Sequence, residues 1–314
     1  MTAVVVRRLG AALVVVWLAL TLAFVVLRML PGDAVDDTMA RSGASAGEIA
    51  ARREELGLND AIVQQYVTYL AKLVRGDWGE SLTSGQPVTE LIAQNLPSTI
   101  VLSGLALLVG VSLGLLLGLA AGLAPIRLVR YGAEGISSLA LSTPVYWTAT
   151  LAIYFFTVEW DVLPGVGGQG SRALILPAAV LGFHTAGSIA QVTANSLRET
   201  AAQDFVRTAR AKGLPELDVM DHILRVALLP VIAVIALQLG FLLGGTVITE
   251  TIFVRRGIGR VLLTAISSRD YPVIQGIVVL AAMTYSTIHA AADVLMGMLD
   301  PRVGIEEWDA GGSL

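Results

Sequence analysis

There is no cysteine in this chain. That removes disulfides, thiolate metal sites and cysteine nucleophiles. Lysine is nearly missing too: Lys72 lies in Leu-Ala-Lys-Leu and Lys212 in Ala-Lys-Gly. Neither stands in G-x-x-x-x-G-K-[ST], the loop whose amides and lysine cradle nucleotide phosphates. The chain therefore has no P-loop of its own, and any ATP that drives it is hydrolysed on another polypeptide. The only histidines are His184, His222 and His289, spaced too widely for an all-histidine metal site to be expected. Charge is scarce at 15% of residues, and the net charge of −4 argues against a nucleic-acid partner.

What is plentiful is apolar: 55% of the 314 residues are hydrophobic. A soluble domain cannot hide that much apolar surface, so the expectation is an all-α integral membrane protein. A helix needs about 20 apolar residues to cross a hydrocarbon core roughly 30 Å thick. Six stretches qualify, near 9–30, 99–123, 133–158, 174–197, 227–250 and 272–298. The first follows Arg7-Arg8 and resembles a signal peptide. Its apolar run is too long for that, and no small-x-small cleavage site follows directly, so it reads as an uncleaved anchor.

Six spans place both termini on one side. With that side cytoplasmic, the short inner segments carry Arg7, Arg8, Arg127, Arg130, Arg198, Arg207, Arg210, Lys212, Arg225 and Arg302, as the positive-inside rule expects. One outer loop runs against the rule, with Arg255, Arg256, Arg260 and Arg269. The expected division is residues 1–30 for the N-terminus and first span, 31–98 for an external segment, 99–300 for a five-helix core and 301–314 for a cytoplasmic tail.

Segment 31–98 reads as a small helical cap. Ser45-Ala-Gly-Glu48 is a capping box that opens a helix. Asn59 or Asp60 is placed to cap a second, in which Ile62, Tyr66, Tyr69, Leu70 and Leu73 share a face. Gly76-Asp77-Trp78-Gly79 reads as a turn. Pro87 opens a third helix, which Pro97 is expected to stop.

Between the fourth and fifth spans lies a polar stretch, 198–226. Asp204, Arg207, Arg210, Ala211 and Lys212 suit a helix at the cytoplasmic surface. Gly213 and Pro215 stop it, and a second short helix leads toward Pro230. Two short helices joined at a glycine make a projecting knob suited to docking on a soluble partner. The plainer reading, an ordinary basic loop, stays open on these residues alone. Polar residues inside the spans are candidates for a solute path: Thr143, Gln191, Asn195, Gln238, Thr246 and Glu250. Helix-to-helix hydrogen bonding is their bland alternative. Gln191 and Asn195 lie one turn apart on one face. Glu250 is expected at the outer end of span five, exposed to water. Trp160 and Tyr271 are expected at a membrane interface.

The stretch Asp204–Gly213 resembles the cytoplasmic loop of ABC-importer permeases, as spelled in their dipeptide/oligopeptide branch. Similar in order and spacing are Arg28-Met-Leu-Pro31-Gly32-Asp33, Glu55-Leu56-Gly57-Leu58, Gly76-Asp77-Trp78-Gly79-Glu80-Ser81, Ala227-Leu-Leu-Pro230, Glu250-Thr251-Ile252-Phe253, Gly257-Ile258-Gly259, Arg269-Asp270-Tyr271-Pro272 and Asp300-Pro301-Arg302. The Glu-Ala-Ala of other ABC permeases is Arg207-Thr208-Ala209 here, as is usual in the peptide branch. The resemblance implies a type I ABC-importer permease fold with six transmembrane helices. It implies a non-catalytic subunit in the cell membrane that pairs with a second, homologous permease. Two cytoplasmic ATPases, which bind the ATP and magnesium, would seat the loop, and an external binding protein would deliver the solute. The loop residues this implicates are Glu199, Asp204, Arg207, Thr208, Ala209, Arg210, Lys212, Gly213, Leu214 and Pro215. No cofactor or metal is expected on this chain. Sister systems carry dipeptides, oligopeptides, glutathione, nickel complexes or haem, and a peptide is the expected cargo.

Two other classes compete. A stand-alone secondary transporter would want a carboxylate at mid-membrane and an inverted repeat. Only Glu134 and Asp293 come near, both close to span ends, and no repeat is clear. An intramembrane hydrolase would need a nucleophile and a base. His184 and Ser188 are one turn apart but lack a Gly-x-Ser-x-Gly frame.

Overall fold

The structure, a computed structural model, describes residues 2–29, 44–55, 57–168 and 170–299. The motif Pro31-Gly32-Asp33 and the expected tail 301–314 lie outside these. The helices are α1 (Thr2–Met29), α2 (Ala46–Glu55), α3 (Ile62–Val74), α4 (Val88–Leu123), α5 (Arg127–Ser142), α6 (Val145–Ile153, continued by a wider turn through Glu159), α7 (Ile175–Ala201), α8 (Asp204–Ala211), α9 (Glu216–Ala227), α10 (Leu229–Ile252), α11 (Ile258–Ser267) and α12 (Tyr271–Leu299). Among the described residues, four stretches are long and apolar enough to cross a membrane, in α1, α4, α7 and α12. Two bent pairs, α5 with α6 at 104° and α9 with α10 at 41°, qualify when each pair is counted together, which makes six.

The bend between α5 and α6 departs from the straight span expected over 133–158. Pro144 forces the residue before it out of the helical region. Thr143 accordingly sits at φ −86°, ψ 137°. A second expectation fails in the opposite direction, because α4 runs straight through Pro97 for 36 residues. In apolar surroundings a chain that leaves the helix exposes its backbone to hydrocarbon, which costs more than one missing N–H. The Asn95 side-chain amide donates to the Leu91 carbonyl at 2.8 Å in the turn before the proline.

The external capping box forms as read. The Glu48 carboxylate accepts from the Ser45 amide at 2.7 Å and from its hydroxyl at 2.8 Å, and the Glu48 amide returns to Ser45 Oγ. The second cap does not form. α3 starts after Ala61 with no side-chain cap, and Gln65 instead donates to the Asp60 and Leu58 carbonyls.

The chain divides into two compact units, residues 1–99 with 256–286 and residues 100–255 with 287–314. In the first, α1 buries Leu20, Phe24 and Leu27, one helical stripe, and Phe24 packs on Tyr66 and Tyr69 of α3. A core of Val88, Ile92, Ile258, Tyr271, Ile274 and Ile277 joins α4, α11 and α12, with Trp78 against it. Tyr271, expected at an interface, is buried there.

In the second unit, α7 is the central helix. Gly110, Gly114, Gly118 and Gly122 of α4 recur every fourth residue and meet Thr185, Ile189, Thr193 and Leu197 of α7. Both sets of numbers rise together, so the two helices run parallel. An added Cβ at Gly118 would stand 2.4 Å from Thr193 Cβ, and one at Gly114 2.7 Å from Ile189 Cβ. Small residues let helix backbones approach when apolar solvent offers no hydrophobic drive.

Candidate functional site

Helix α7 ends at Ala201, and after two intervening residues the chain starts α8 at Asp204. Val206, Val219, Ile223 and Ala227 form a buried cluster with Leu197, packed beneath Leu119 and Leu123 of α4. The two short helices are thus moored to the ends of α4 and α7 by their own apolar faces. The link between them is a Schellman turn. The Gly213 amide bonds to the Arg210 carbonyl at 3.0 Å and the Leu214 amide to the Ala209 carbonyl at 3.3 Å, with Leu214 and Ala209 in the apolar cluster. Gly213 has φ +78°, a region that charges other residues about 1–2 kcal/mol. Pro215 then caps α9 in extended geometry. Across the turn Arg210 meets Glu216 at 2.6 Å. Both are exposed and screened by water, so the pair orients the turn and stabilises little.

Glu199, Asp204, Arg207, Thr208, Arg210, Lys212, Gly213 and Pro215 are all exposed, while Ala209 and Leu214 are half-buried. The two helices also leave Phe205 and Leu217 uncovered, Leu217 at 85% exposure. Reading by charge pattern missed Leu217, and it missed Val206, whose complete burial fixes which face of α8 looks outward. A rim of ions around two apolar knobs is the composition of a protein-docking surface.

The path candidates separate. Gln191 and Asn195 are exposed on a helix otherwise largely buried, in line with exposed Glu199. Gln238 is half-exposed, and Thr143 spends its hydroxyl on the Leu139 carbonyl at 2.6 Å. Thr246 is fully buried. Glu250 corrects an expectation: it is 1% exposed, not open to water. α10 continues past it to Ile252, so the carboxylate lies within a packed turn and not at a frayed end.

His184 uses both ring nitrogens. A carbonyl only accepts, so Nδ1–H donates to Ala140 O at 2.8 Å, and Nε2 shares a hydrogen bond with the Thr148 hydroxyl at 2.8 Å. The ring thereby ties α7 to both arms of the α5–α6 bend. Glu134 pairs with Arg198, which also donates to the Ala121 carbonyl at 2.8 Å. The side chain of Asp293 lies outside the described residues.

In the other unit, two motifs far apart in sequence close on one another. The Asp270 carboxylate accepts from Ser81 Oγ at 2.5 Å, Thr83 Oγ1 at 2.8 Å, and the amides of Leu82 and Thr83 at 3.1 and 3.3 Å. This knot borders an open groove of about 320 Å³, with Arg256 and Arg260 on one wall and Leu91 and Val261 in its lining.

Comparison with known proteins decides the family. Residues 114–305 match the model for the binding-protein-dependent transport system inner membrane component, and residues 1–103 match its N-terminal companion. The chain belongs to this family of transport permeases. The permease is 36% identical to a di/tripeptide transport system permease protein of Pseudomonas aeruginosa strain UCBPP-PA14, over 96% of this chain and 99% of that one. It is 35% identical to a putative peptide transport system permease protein of Brucella suis biovar 1, over 96% and 99%. To the dipeptide transport system permease of Escherichia coli K12 it is 32% identical, over 95% and 98%. Among solved structures, an inward-facing MetNI methionine ABC transporter superposes with a TM-score of 0.56 at 18% identity, covering 67% of this permease and 96% of that chain. An amino acid ABC transporter gives 0.52 at 19%, covering 68% and 94%. These two carry the fold alone: the permease has the type I ABC-importer architecture and is a multi-pass inner-membrane protein.

Proposed function

We propose that this permease is one of two membrane subunits of an ATP-driven, binding-protein-dependent importer of dipeptides or oligopeptides. The observation that carries the reading is the moored helix pair α8–α9, with its apolar knobs and ionic rim facing outward. Paired with peptide-permease relatives that match over nearly their whole length, it supports a coupling role. ATP closes two partner ATPases on the pair, and its rigid mooring to α4 and α7 carries that motion into the spans. Both termini face the cytoplasm. The exposed pair Gln191 and Asn195 looks onto the solute path shared with the second permease. The binding protein docks at the Asp270 knot and its groove.

The test is reconstitution of the permease with its partner permease, ATPases and binding protein in liposomes. ATP-dependent uptake of labelled dipeptide or oligopeptide is the predicted outcome. Uptake of nickel, glutathione or haem in place of peptide would reassign the cargo and keep the mechanism. Uptake by this chain alone, driven by an ion gradient, would overturn both.

A further inference from the structure

Helix α3 carries more apolar surface than its contacts use. At about 100° per residue, Tyr69, Ile62, Leu73, Tyr66 and Leu70 form one sector, and Val63, Val74, Val67 and Ala71 extend it to an arc of about 200°. Gln64, Thr68, Lys72 and Gln65 fill the remainder. The first sector meets α1: Tyr66 and Tyr69 stack around Phe24, and Tyr66 Oη lies 2.6 Å from Thr21 Oγ1. The second sector is bare, with Val63 73%, Val67 59% and Val74 88% exposed.

Depth identifies what covers it. Arg8 and Arg28 bracket the apolar run of α1, and the 19 residues between them span about 28 Å, close to the roughly 30 Å of a hydrocarbon core. Thr21 and Phe24 then lie about 10 and 6 Å inside the level of Arg28. A helix that packs on them sits at the same depth. α1 leaves Leu18, Leu22, Val25 and Val26 exposed over that stretch, so the surroundings there already accept apolar side chains.

We propose that α3 lies embedded in the leaflet at the C-terminal end of α1, with Val63, Val67 and Val74 against lipid acyl chains. Gln64, Thr68 and Lys72 then face headgroups and water, the arrangement of an interfacial amphipathic helix. The proposal rests on α1 spanning the bilayer. It makes part of the segment between the first two spans a membrane anchor and not a water-facing cap. The turn 75–87 that reaches Asp270 leaves directly from its end, so the anchor sets that turn's height above the bilayer.

The absence of cysteine makes the test direct. Single-cysteine variants V63C, V67C, Q64C and T68C, with L22C on α1 as reference, are spin-labelled in the assembled importer in proteoliposomes. Collision rates with oxygen, which concentrates in lipid, and with a water-soluble nickel chelate are compared. The oxygen-to-nickel ratio is expected to be on the order of tenfold higher at 63 and 67 than at 64 and 68, with 22 like 63 and 67. Equal ratios at all four α3 positions would overturn the proposal in favour of a water-facing cap. Exclusion of both reagents from 63 and 67 would overturn it in favour of cover by the second permease. A water-like ratio at 22 as well would overturn the spanning of α1, and the proposal with it.

Discussion

The packing of α4 on α7 makes a graded prediction from one substitution, glycine to alanine, at different heights. At Gly118 the new Cβ would stand 2.4 Å from Thr193 Cβ, 2.8 Å from its Cγ2 and 2.9 Å from the Ala190 carbonyl oxygen. Carbon atoms rest at about 3.5–4.0 Å. Rotation of Thr193 cannot clear a clash at its own Cβ, and its hydroxyl is held by the Ile189 carbonyl at 2.7 Å. The helices must separate, at about 1–3 kcal/mol for an overpacked contact. Alanine repays up to about 1 kcal/mol of helix propensity wherever it replaces glycine. At Gly104 an added Cβ meets nothing within 4 Å, so only that gain remains. At Gly122 the contacts are looser: Leu197 Cδ1 at 3.0 Å can swing aside, and Leu197 Cβ at 3.1 Å needs the helices to give by only a few tenths of an ångström. The expected order of stability is Gly104→Ala above wild type, Gly122→Ala between and Gly118→Ala lowest, with a spread of about 1–3 kcal/mol. Denaturant titration of the purified complex in mild detergent reads the order. Equal stability of Gly104→Ala and Gly118→Ala would refute the reasoning.

Three further outcomes are expected. Gly213→Val places a β-branched residue at φ +78° and strains the α8–α9 turn by about 1–2 kcal/mol, while Gly213→Asn fits; uptake should fall in the first with membrane insertion intact, and unchanged uptake would contradict the coupling role. Asp270→Ala strands the Leu82 amide at about 1–3 kcal/mol and removes the acceptor shared by the Ser81 and Thr83 hydroxyls, so protease cleavage within 81–86 should quicken over wild type; an unchanged rate would contradict the knot. Glu48 is held below the ordinary carboxylate range by its bonds to the Ser45 amide and hydroxyl. A depressed carboxylate stabilises above its unfolded value and loses that contribution as pH falls through the lowered one. Amide-exchange protection at 45–49, corrected for intrinsic rates, should be level near neutrality and drop in acid; a flat profile would count against the capping box.

What could be read from the sequence was what neighbours in sequence determine. The Ser45–Glu48 box, the Gly213 turn and the apolar stretches are each written within a few residues of themselves; the box and the turn formed, and four of the six stretches lie in single helices while two belong to bent pairs. Asp270 was visible only as part of a motif, because its donors Ser81 and Thr83 stand 189 and 187 positions away. The glycine row of α4 is written plainly at every fourth residue, but its meaning depends on α7 lying against it. Pro97 misled because the rule that proline ends helices assumes water to take up the freed carbonyl. Glu250 misled in the same way: a carboxylate near a span end suggested exposure, and packing around α10 buried it. Leu217 was overlooked because charge dominated the reading of its segment, and only burial distinguishes an apolar residue that packs from one that waits for a partner.

The central claim is that α8 and α9 seat the ATPases. A benzophenone attached to single cysteines at Phe205 and Leu217, in a complex that retains ATP-driven uptake, tests it most directly. Irradiation should join both positions to an ATPase subunit, while a probe at Ser84, beside the Asp270 knot, should not make that adduct. An active complex in which neither 205 nor 217 reaches an ATPase would contradict the account.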